Sequence, residues 1–112
     1  MVTALLALLR PERTPVRRLR DLLNDGLPVT SPQRTRWLVQ AAGELDIMAA
    51  AAGAATVAQM RTLFRVAGAL FDGGLTDAAR AAELVLNAPE LSLAARLRRV
   101  RDVLLDVVAG VR

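Results

Sequence analysis

The chain has 112 residues with 15 basic and 11 acidic side chains, a net charge of +4, and every basic residue is arginine. Cysteine, histidine, lysine and tyrosine are missing, which excludes disulfides, thiolate and imidazole chemistry, soft-metal sites and the commonest proton carriers. The hydrophobic set makes up 54%, and with glycine roughly 60%, above the ~45–50% of ordinary soluble domains.

The length allows one domain with a real core, and the dominance of Ala, Leu, Val and Arg, with only 3% aromatics, favours helices over strands. A small domain this apolar either exposes an apolar patch or covers one with a partner. The absence of lysine is as well explained by the codon usage of a GC-rich genome as by a need for guanidinium groups.

Along the chain, "MVTALLALLR" reads as a short first helix over 3–9 and not as a signal peptide. Its apolar run has no positive residue before it, and "RPER" stands where small cleavage residues belong. Thr14 followed by Pro15 is an N-cap and first-turn pair, predicting a helix over 15–25 with Val16, Leu19 and Leu23 on one face and Gly26 as its stop. Ser31-Pro32 repeats the start signal. Leu38, Ala41, Leu45, Met48 and Ala52 then carry a helix over 32–52, broken near Gly53 and Thr56.

A second stripe, Val57, Met60, Phe64, Ala67 and Phe71, widened by Leu63, Val66 and Leu70, predicts a helix over 56–72 that is apolar around most of its circumference and therefore central. "DGG" ends it. Thr76 and Asp77 start a helix over 77–87, and Pro89 with Glu90 open the last one, 90–110, whose seam is Leu93, Leu97, Val100, Leu104, Val107 and Val111. Small residues at Ala41, Gly43, Ala49 to Ala52 and Gly68 are expected to let helix axes approach closely. The whole predicts a single all-α domain, a compact bundle of five or six short-to-medium helices, mainly antiparallel.

For chemistry the residue inventory leaves little. Ser31 and Ser92 are explained by helix starts, and no base accompanies either. Asp21 and Asp25, Glu44 and Asp46, and Asp102 and Asp106 are carboxylate pairs, but Arg17 precedes Asp21 by four residues, Arg98 precedes Asp102 by four, and Glu44 and Asp46 point to different sides of a helix. The reading is non-enzymatic, with no cofactor and no metal. "FDGGL" lacks the strand, the lysine and the spacing of a phosphate loop.

Three partner classes follow. Val103, Leu105, Val108 and Val111 lie partly off the seam of the last helix and are expected to form a protein interface, with self-association or a place in a larger assembly as the outcome. Arg13, Arg17 and Arg20, spaced i, i+4 and i+7 at the start of the helix over 15–25, and Arg96, Arg99 and Arg101 on the last helix, are candidate contacts for carboxylates at the rim of that interface. The same arginines define the alternative, nucleic-acid binding, in which residues 75–101 form a helix, turn and arginine-bearing helix. An amphipathic membrane-surface segment at Met1 to Arg20 is the weakest reading, and no stretch is long enough for a membrane span. The cytoplasm is the default compartment for such a chain.

Overall fold

A computed structural model describes residues 14–51 and 57–110. The expected helix 3–9, Arg13, Ala52 and Val111 lie outside the described residues. The described residues form five helices: α1, Pro15–Asp25; α2, Ser31–Ala50; α3, Val57–Asp72; α4, Thr76–Leu86; and α5, Leu93–Ala109. The domain is all-α.

Local chemistry explains the boundaries. The Thr14 hydroxyl accepts the Arg17 N–H at 3.1 Å, satisfying one of the first-turn donors that a helix cannot pair internally, and Pro15 gives up no hydrogen bond at that position. Gly26 ends α1 with φ +81°, and its N–H reaches the carbonyls of Leu22 and Leu23. α2 starts a residue earlier than expected: Ser31 is already helical and Thr30 is the cap, with no side-chain bond.

The last helix starts later than expected. Ser92, not Pro89, is its N-cap, with the hydroxyl accepting the Ala95 N–H at 3.2 Å. Pro89 and Glu90 belong to the turn before it, where the Leu91 N–H reaches the Ala88 carbonyl. A serine acceptor stabilises a helix start more than a proline does, because proline only removes a donor whereas serine satisfies one.

Between α3 and α4 the two glycines of "DGG" act differently. Gly74 takes φ +82°, which a side chain would resist. Gly73 leaves room for a neighbour: a Cβ there would stand 2.3 Å from Leu27 Cδ2, so the Leu27 side chain would have to move aside. The bonds from Gly74 N–H to the Phe71 carbonyl and from Leu75 N–H to the Leu70 carbonyl close the turn.

Each helix packs chiefly on two others, in the order α1, α2, α5, α4, α3 and back to α1, so the five form a closed ring around one core. The seam between α2 and α5 is the most extensive contact. It joins the two stripes read from the sequence: Leu38, Ala41, Leu45 and Met48 on α2, and Leu93, Leu97, Val100 and Leu104 on α5, all buried. Ala42 and Ala49 widen the α2 face. Leu19 and Leu23 of α1, Leu63, Val66 and Leu70 of α3, and Ala78, Ala79 and Ala82 of α4 complete the core.

Polar groups pin the junction of α1, α2 and α3. Trp37 is buried, and its indole N–H donates to the Leu22 carbonyl at 2.9 Å, one of the last carbonyls of α1. Arg34 donates through Nε to the Pro28 carbonyl at 3.0 Å and through Nη2 to the Gly73 carbonyl at 2.7 Å. One guanidinium thus holds the α1–α2 loop and the end of α3, and its charge also suits a helix C-terminus. Arg34→Lys keeps the charge but has no planar fork with which to reach both carbonyls. It is expected to lower stability by about 1–3 kcal/mol, read as a lower urea midpoint with an unchanged slope.

Candidate interaction surface

A ring has no central helix, and α3 is not one. Its buried face is Thr62, Leu63, Val66, Ala67 and Leu70. Phe64 and Phe71, assigned to the seam by periodicity, face outward at 43% and 61% exposure. With about 100° per residue, Phe64, Gly68 and Phe71 lie within a narrow arc, and Arg61, Arg65 and Asp72 lie beside them on the same outward side. Those three charges are the signal in the sequence that gives the outward direction of α3. Thr62 and four aliphatic residues fill the inward arc, so the phenylalanines have no place in it.

Gly68 was expected to admit a neighbouring helix of the same fold. Nothing lies within 4 Å of where its Cβ would be, and the same holds for Gly43 of α2. A glycine inside a helix costs about 1 kcal/mol relative to alanine, and no contact within the described fold offsets that at either position. Beside Gly68, between α1 and α3, runs a groove of about 430 Å³ bordered by Leu23, Leu27, Arg65 and Asp72. Arg65 donates to the Asn24 side-chain oxygen at 3.0 Å across it. The α3 surface therefore combines two exposed phenyl rings, an open helix backbone and a polar edge.

The residues expected to form an interface on α5 divide. Val103 is core, at 6% exposure, a correction that follows from the position of α5 between α2 and α4: packing on both sides widens its buried arc beyond the heptad seam. Val108 is half-buried against the core. Leu105 is exposed and borders a second groove, of about 390 Å³, with Val39, Gly43 and Asp46 of α2.

The arginines do not gather into one face. α1 and α5 flank α2 in the ring, so Arg17 and Arg20 are separated from the arginines of α5 by that helix. Arg17 and Arg99 are exposed and Arg20 is half-buried. Arg101 is committed to Asp46 of α2 and to Asp102, and these hydrogen bonds, Asp46 first, hold it more firmly in its charged form. Asp102 thus takes its neighbour Arg101 and not Arg98 as its ion-pair partner. Arg96 turns back, donating to the Ala88 carbonyl at 2.8 Å and approaching the Met60 sulfur, while its Nε is buried with no hydrogen-bond partner.

On the other flank of α2, Arg18 Nε donates to Glu44 Oε2 at 2.7 Å, and this bond raises the guanidinium pKa further. Glu44 Oε1 is buried without a hydrogen bond. As the spacing indicated, Glu44 and Asp46 point to opposite flanks of α2, one toward α1 and one toward α5. Among the described residues no group of three or more acidic, histidine or cysteine side chains is placed to hold a metal ion. No described helix is long and apolar enough to cross a membrane.

Comparison with protein-family models, curated proteins and solved structures finds no match to this chain.

Proposed function

We propose that this chain is a non-catalytic protein interaction module that meets its partner through the outward face of α3. The observation that carries the reading is the placement of Phe64 and Phe71. They are the only phenylalanines in a chain with one tryptophan and no tyrosine, and both are exposed on one helix face while aliphatic side chains and Trp37 fill the core. Exposed aromatic area next to arginine is the composition of interface anchors, since large rigid rings lose little conformational entropy when covered.

The alternative reading, nucleic-acid binding, has less support. Two of its six candidate arginines, Arg96 and Arg101, already donate to groups of the same fold. The connection between α4 and α5, Asn87 to Ser92, is longer than the three or four residues of a helix-turn-helix. We keep the cytoplasm as the proposed compartment, because the core is built without cross-links that would need an oxidising one.

The test is capture from an extract of the producing cells with the immobilised chain and its Phe71→Glu variant. The native chain is expected to retain a defined protein partner that the variant loses, with equal helical circular dichroism for both. Identical proteins on both, or none on either, would overturn the reading. So would retention of duplex DNA at low salt that Arg17→Glu and Arg20→Glu together abolish.

A further inference from the structure

We infer that the partner covering this face is a second copy of the same chain, bound antiparallel about a two-fold axis at Gly68. The inference rests on the reading of α3 as an interaction surface and adds the occupant and the register. A two-fold contact is self-complementary: if residue i of one copy meets residue j of the other, j also meets i. In an antiparallel helix pair crossing at Gly68, residues equally far before and after position 68 face each other.

The outward residues of α3 meet that condition on both sides of the crossing. Phe64 lies four before and Phe71 three after, on one side of the arc; Arg65 lies three before and Asp72 four after, on the other. A two-fold axis perpendicular to the helices keeps like sides together. Phe64 then meets the second copy's Phe71 on one side, and Arg65 meets the second copy's Asp72 on the other, each contact occurring twice. The rings can adopt the offset or edge-to-face packing that phenyl groups favour. A parallel arrangement would set the phenyl side of one copy against the Arg65 and Asp72 side of the other.

Two further observations agree. Gly68 removes the side chain at the crossing point, where the backbones come closest, and nothing of its own fold occupies that space. Asp72 is an acidic group in the last turn of α3, where the helix dipole disfavours it, and it has no ion-pair partner among the described residues. A guanidinium from the second copy supplies the missing positive charge. Arg65 has donors to spare, since the bond to Asn24 uses only Nη2.

The test is the solution mass by light scattering and sedimentation across a concentration series. The native chain is expected at twice its 12.0 kDa mass. Gly68→Leu, which separates the backbones, is expected to be monomeric with full helical signal, while Leu84→Glu, at an exposed position of α4, keeps the dimer. Arg65→Asp and Asp72→Arg each place like charges together twice per dimer and are expected to weaken it about tenfold. The two combined in one chain restore it.

A native chain that stays monomeric overturns the second-copy assignment without a variant being needed, and partner capture lost with Phe71→Glu would then leave the interaction reading intact. A dimer indifferent to Gly68→Leu and to the single charge reversals overturns the register. If Gly68→Leu does not fold, the charge-swap pair decides alone, because both positions, Arg65 and Asp72, are at the surface.

Discussion

Val103→Glu is expected to unfold the domain or lower its stability by about 4 kcal/mol or more, whereas Leu105→Glu, two residues further along α5, leaves it folded. Both positions hold an aliphatic side chain on the same helix, and their burial differs: Val103 is 6% exposed and Leu105 41%. A carboxylate at 103 would enter the hydrophobic core and must either be desolvated or become protonated. The destabilisation therefore grows with pH. The unfolded chain ionises near the usual glutamate value, while burial raises the folded value, so the folded state binds the proton more tightly and is favoured at low pH. Urea midpoints at pH 4 and pH 7 check this: a larger deficit at pH 7 for Val103→Glu, and little dependence for Leu105→Glu. Equal loss at both positions would mean that α5 does not sit as described.

Trp37→Ala is expected to cost about 3–5 kcal/mol, the largest loss from any single truncation, because it removes volume and a hydrogen bond together. The side chain is buried, so its deletion leaves a void between α1 and α2, and the Leu22 carbonyl loses one of its two donors, the indole N–H at 2.9 Å, while keeping the Gly26 N–H. Trp37→Phe separates the two effects, retaining most of the packing and losing only the donor. Its expected cost is about 1–2 kcal/mol. Thermal unfolding followed by helical circular dichroism orders the three proteins. A Trp37→Phe variant as unstable as Trp37→Ala would show that the carbonyl bond dominates.

The helices were legible in the sequence because their signals are local. Thr14-Pro15 and the stops at Gly26 and "DGG" act on adjacent backbone groups, and the 3 and 4 spacings of α2 and α5 report one continuous buried stripe. Where a local signal was ambiguous the boundary moved, as at Pro89 and Ser92. The face of α3 was not legible from spacing, since Phe64 and Phe71 fit a seven-residue repeat as well as the buried aliphatics do. Hydropathy alone could not choose between them. The charges Arg61, Arg65 and Asp72 could.

Contacts distant in sequence were the least legible. Nothing near Arg34 announces that it reaches the Gly73 carbonyl, and nothing near Arg101 announces Asp46; both depend on which helices become neighbours in the ring. That neighbour order also explains why the arginine faces dispersed. Each arginine face is a property of its own helix, and the folded chain places α2 between them.

The ring order has a kinetic consequence. The deepest seam joins α2 to α5, and the chain between them, residues 51–92, carries all of α3 and α4. Closing that loop costs chain entropy before any of the seam's burial is gained. The α3–α4 hairpin needs only the three-residue connection Gly73–Leu75 and is the natural early unit. The α2–α5 seam then closes late. Packing defects in it mainly speed unfolding, and defects in the hairpin mainly slow folding, so the most extensive helix–helix contact sets the lifetime of the folded state more than the time taken to reach it.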